Sequence, residues 1–85
     1  NDGDQDTYAF ILNNLGVLYN SQNKFGQAIE ALDQALKIRN ELFGDQSRQY
    51  AQTCNGLGNV FYSLGQPERA LSYFLKTIEI EKIQY

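Results

Sequence analysis

This sequence predicts an all-α chain, two helix–turn–helix units stacked into a superhelical α-solenoid segment. Three observations carry that expectation. The chain repeats itself. Leu15-Gly16-Val17-Leu18-Tyr19 returns as Leu57-Gly58-Asn59-Val60-Phe61, and Ala28 returns as Ala70, each pair 42 positions apart. A period of about 20 to 50 residues marks a stacked array whose units cannot bury their apolar faces alone. Apolar residues also recur in three- and four-residue steps, with no sustained alternation of the strand kind. Finally, the residues suited to closing helices fall between these runs.

The first helix is expected from about Asp6 to Ser21, on Tyr8, Ile11, Leu12, Leu15, Leu18 and Tyr19. Asn23 ends it, because Asn tolerates the left-handed conformation; one period later Gly65 takes that place. The second helix runs from about Phe25 to Phe43 on Ala28, Ile29, Leu32, Ala35, Leu36, Ile38 and Leu42, and Gly44 caps it. Asp45-Gln46-Ser47 offers N-cap oxygens to a third helix, about Ser47 to Ser63, with Tyr50, Ala51, Cys54, Leu57, Gly58, Val60 and Phe61 inward. Pro67, the only proline, suits the first position of the fourth helix, which runs to about Ile83. Ala70, Leu71, Phe74, Leu75 and Ile78 are expected inward there. Tyr73, Ile80 and Ile83 widen the apolar surface beyond one stripe. The last helix is therefore expected to present an interface to a following helix or to another copy of the chain. Tyr85 is expected to be disordered or to wait for a neighbour.

At 85 residues, 42% hydrophobic and 20% charged, the chain is one small segment, residues 1–85, with the composition of an ordinary globular protein. Its net charge of −3 and scattered Lys and Arg argue against nucleic acid as a partner. One cysteine and no histidine exclude an internal disulfide and leave no plausible metal set. No run approaches the roughly 18 to 20 apolar residues of a membrane span. The acidic start, Asn1 to Asp6, is unlike a signal peptide, and with the lone thiol it fits a cytoplasmic (intracellular) setting. The missing initiator methionine suggests a fragment or a processed chain. No cofactor and no catalytic residues are expected. Cys54 reads as a small core residue, since no histidine can serve as its base. Glu30, Asp33, Glu41, Glu68, Glu79 and Glu81 read as outer-face charges, because acid–base chemistry needs a pocket to hold a carboxylate pair.

Gly in a helix interior costs up to about 1 kcal/mol relative to Ala, so Gly16 and Gly58 at equivalent places imply a close approach of the partner helix. Leu15-Gly16-x2-Tyr19 followed by Ala28, Leu32 and Ala35, and Leu57-Gly58-x2-Phe61 followed by Ala70 and Phe74, resemble the tetratricopeptide repeat. The family's minimal unit is about 34 residues. The longer unit here, with Leu12-Asn13-Asn14-Leu15 and Ala35-Leu36-Lys37-Ile38-Arg39, is similar to those of kinesin light chains. Repeat one would cover about 6–44 and repeat two about 45–85. The second copy departs from the first at Cys54 for Leu12, Gly56 for Asn14 and Thr77 for Ala35.

The resemblance implies a scaffold for protein or peptide partners, with the first helix of each repeat lining a concave face. Phe10, Asn13, Val17 and Asn20 form one stripe by helical spacing, and Gln52, Asn55, Asn59 and Tyr62 form its counterpart. Side-chain amides both donate and accept, so such a row can pair with the backbone of an extended peptide. Relatives that clamp a C-terminal carboxylate use Lys, Arg and Asn on this stripe. This stripe has no Lys or Arg, and the resemblance does not reach that activity. Two other readings stay open: a structural or self-associating repeat segment, or an accessory part of a larger enzyme or regulator.

Overall fold

In the computed structural model four helices follow one another: α1 (Asp2–Ser21), α2 (Phe25–Phe43), α3 (Arg48–Ser63) and α4 (Pro67–Gln84). The structure describes residues 1–84, Gln84 by its backbone only, and the expectation for Tyr85 lies outside the described residues. No strand occurs among the described residues. The chain is thus all-α, two helical hairpins in series.

The helix ends follow from local chemistry. α1 begins at Asp2, four residues before the expected start. Asn1 Oδ1 accepts a hydrogen bond from Asp4 N at 2.9 Å, and Asp2 and Asp4 complement the positive end of the helix dipole. The two hairpin turns are copies. Asn23 (φ 62°) and Gly65 (φ 78°) are both left-handed. In the first turn Lys24 N donates to Tyr19 O at 2.8 Å, and in the second Gln66 N donates to Phe61 O at 2.9 Å. The same carbonyl is satisfied by the same backbone path, once with Asn and once with Gly. Between the hairpins Gly44 (φ 84°) closes α2, and Ser47 caps α3 by accepting from Tyr50 N at 3.1 Å.

Within each hairpin a glycine lets the helices close. A Cβ on Gly58 would lie 2.5 Å from Phe74 Cε1, and one on Gly16 would overlap the Leu32 side chain still more. Ala28, Leu32, Leu57, Val60, Phe61 and Ala70 form the main buried cluster. Tyr19 packs beside it, and Phe61 stacks on Tyr73 with ring centroids 5.6 Å apart. α3 also lies against α2 and α1, whereas the α4 backbone comes close only to α3. That position explains why eight of the sixteen α3 residues are buried, against four of twenty in α1.

The inward set of α4 differs from expectation. Ala70, Thr77 and Ile80 are buried and Phe74 is half-buried, while Leu71, Leu75 and Ile78 are exposed. The apolar period was sound, but α4 carries two apolar faces and has a neighbour on one. Ile80, assigned to the surplus face, is fully buried instead. The same holds for α1, where Tyr8, Ile11, Leu15 and Leu18 are exposed, Ala9 is buried, and Leu12 and Gly16 meet α2.

Candidate functional site

α1 and α3, which carry the two predicted stripes, lie against one another. Phe10, Val17 and Tyr62 are each more than half exposed. Asn55, Asn59 and Gln52 are exposed, and Asn20 is half-buried. Asn20 Oδ1 is itself buried and has no hydrogen-bond partner among the described residues. A buried acceptor without a partner is uncommon enough to mark a place where a donor fits.

Asn13 is different. It is buried, and its Oδ1 accepts from Thr53 Oγ1 at 3.0 Å. Thr53 Oγ1 in turn accepts from Arg39 Nη1 at 3.0 Å. The same Nη1 reaches Gln52 Oε1 at 3.1 Å and Gln49 O at 3.2 Å. Arg39 thus joins α2 to α3, and Thr53 joins both to α1. The expectation that the Asn13 oxygen serves a ligand is corrected: it is already used to hold the repeats together. Gln52 keeps an exposed place on the stripe, but its carbonyl oxygen takes part in the same network.

Sequence reasoning missed this network. Arg39 entered only through its resemblance to other long repeats, and Thr53 not at all. A signal existed. Thr53 stands one period after Ile11, a polar residue in a stripe that is otherwise apolar. Burial lowers the Arg39 pKa, with the nearby Asp6 carboxylate opposing the shift. The cation is met mainly by neutral oxygens, so its anchoring is by hydrogen bonds rather than by a bonded carboxylate.

The remaining chemistry is sparse. Cys54 is buried, and burial raises its thiol pKa to about 11, so it is neither a nucleophile nor a ready ligand at neutral pH. Burial also raises the pKa of Tyr50 and Tyr73. Among the described residues no three His, Cys, Asp or Glu side chains gather as a metal site, and no helix is long and apolar enough to cross a membrane. Gln52 and Asn55 of the stripe, with Arg48 and Glu81, line the rim of an open depression of about 280 Å³, with Ala51, Thr77 and Ile80 as its floor.

No curated protein and no solved structure matches the chain. The family model for the tetratricopeptide repeat matches residues 3–82, which includes both hairpins, both close-approach glycines and the α1/α3 face. Two helical hairpins with one packing plan, matched over nearly their whole length, place this chain in the tetratricopeptide repeat family.

Proposed function

We propose that the chain is a protein-interaction scaffold whose α1/α3 face holds an extended peptide or a partner helix. Repeats of this family are in general protein–protein interaction modules, typically without catalysis. The observation that carries the finer reading is the composition of that face. It exposes three large apolar side chains, Phe10, Val17 and Tyr62, among the amides of Asn20, Asn55 and Asn59. Amides pair with a peptide backbone and the apolar groups take side chains, a combination suited to an uncharged ligand. The amide oxygens of Asn13 and Gln52 already accept within the supporting network and are not free acceptors for a ligand. The same reading divides the chain into units at about 6–44 and 45–85. It also favours an intracellular setting, where a lone thiol such as Cys54 stays reduced.

Selection from a displayed random-peptide library tests this reading. The triple variant Asn55→Ala, Asn59→Ala, Tyr62→Ala should lose the selected peptides and keep its helical circular dichroism. Leu71→Glu, on α4, should keep both. Peptides that bind the triple variant as well as the parent chain would place recognition elsewhere.

A second reading, self-association through the last helix, is favoured by the exposed Leu71, Leu75 and Ile78 of α4. Leu71, Leu75 and Ile78 lie outside the α1/α3 stripe.

A further inference from the structure

The interface between the two repeats is a template for the apolar faces exposed on α1 and α4. Inside the chain, α2 offers Ile29 and Leu36 to the cluster containing Leu57 and Val60 of α3. Thr53 of α3 reaches Asn13 and Arg39 at the junction. One period of 42 positions turns Ile29, Asp33 and Leu36 into Leu71, Leu75 and Ile78 on α4. It likewise turns Tyr50, Thr53, Leu57 and Val60 into Tyr8, Ile11, Leu15 and Leu18 on α1, read backwards. All seven end-face side chains are 36–55% exposed. α4 therefore carries the equivalent of the donor half of the α2·α3 interface, and α1 the equivalent of the acceptor half.

Two depressions fit the changes between the interior contact and the ends. At the first end, Leu12, Leu15, Tyr19 and Ala31 share the lining of an open depression of about 210 Å³. Ala31 stands there where Tyr73 stands in the second hairpin. Inside the chain Tyr73 is close enough to Asp33 for the carboxylate to raise its pKa. At the ends the equivalent pair is Ala31 and Leu75, a small residue facing a larger apolar one. At the other end, the depression floored by Ala51 and Ile80, between Asn55 and Glu81, is the counterpart of the place where Asn13 and Arg39 hold Thr53. The residue delivered there by one period is Ile11, which meets Ala51, Thr77 and Ile80 within a polar rim of Arg48, Gln52, Asn55 and Glu81.

We propose that the chain assembles head to tail with a second copy of itself, α1 of one copy seating on α4 of the next as α3 seats on α2. This rests on the self-association reading and goes beyond it by naming the receiving face and the polarity. Leu75 fills the depression at Ala31, and Ile11 fills the depression at Ile80. The contact lacks the Arg39–Thr53–Asn13 chain, because Glu81, Ile11 and Asn55 occupy those places. Asn14 also stands where Gly56 allows α3 to close on Leu32. The contact between copies is consequently looser than the one within the chain and depends on concentration. Such a heterologous interface does not close on itself as a two-fold dimer does.

Sedimentation of the unaltered chain and two variants tests the proposal. The mean mass of the unaltered chain should rise with concentration and pass the dimer without a plateau. Ile11→Glu and Leu75→Glu change exposed positions, keep their helical circular dichroism, and should each remain monomeric alone. Mixed in equal amounts they should form a heterodimer that grows no further, since each retains the face the other lost. An unaltered chain that stays monomeric at every concentration would overturn both the proposal and the self-association reading. Self-association of Ile11→Glu alone, or failure of the mixture to pair while the unaltered chain associates, would overturn the head-to-tail polarity and leave self-association standing.

Discussion

Thr53 has one hydroxyl proton and spends it on Asn13, leaving its oxygen to accept from Arg39. Thr53→Val keeps the shape and removes both bonds, so a buried Asn oxygen and a buried guanidinium each lose a partner. The expected loss is about 1–3 kcal/mol, measured by urea unfolding. Glycines at this scale divide by what surrounds them. Gly58→Ala puts a methyl 2.5 Å from the Phe74 ring, and overpacking of about 1–3 kcal/mol outweighs the helix propensity gained. Gly26→Ala meets nothing within 4 Å and should stabilise by roughly 0.5–1 kcal/mol. Opposite signs for the two in one thermal series would check the close-approach role. Thr77, which replaces a small alanine, has its one hydroxyl proton within reach of Ala51 O at 3.2 Å and Tyr73 O at 3.1 Å, and the bond to Ala51 ties α4 to the α3 backbone.

Among the elements, the turns are the most legible part of the chain. Asn23 and Gly65 were readable as helix closers because few residue types accept a positive φ, and both adopt it. Gly65→Ala should cost about 1–2 kcal/mol by forcing a Cβ into that conformation. Gly65→Asn, the residue of the equivalent turn, should cost less, and the melting temperatures of the two variants give the comparison. Helix faces were less legible. The period of α4 showed that Leu71, Leu75 and Ile78 share a side with one another, but a period does not say which side has a neighbour. The same ambiguity hid α1, whose Leu12 and Leu15 differ only in which helix, if any, lies against them.

Taken as a whole, the molecule holds a single thiol at the centre of its second hairpin, and this gives its stability a pH dependence. The unfolded chain releases the Cys54 proton near 9.0 and the folded chain near 11. Between these values the unfolded state binds fewer protons, so stability falls as pH rises, by up to roughly 3 kcal/mol. Tyr50 and Tyr73, both raised by burial, add a loss of the same sign above pH 10.0. Denaturation midpoints across this range should fall, and Cys54→Ala should flatten the part that begins near 9.0. The stripe on α1 and α3 was half legible. Helical spacing put Phe10, Val17, Asn55, Asn59 and Tyr62 on exposed surface, yet it treated Asn13 as the twin of Asn55. The two occupy equivalent positions, and only Asn13 has a further helix beside it to receive Thr53. Residue types and their period were enough for four helices, their turns and the tetratricopeptide packing plan, because those rest on φ preferences and on neighbours a few residues apart. Which amides are free, which apolar faces are covered and how Arg39 is held were left to the tertiary structure, because each depends on a helix arriving from tens of residues away.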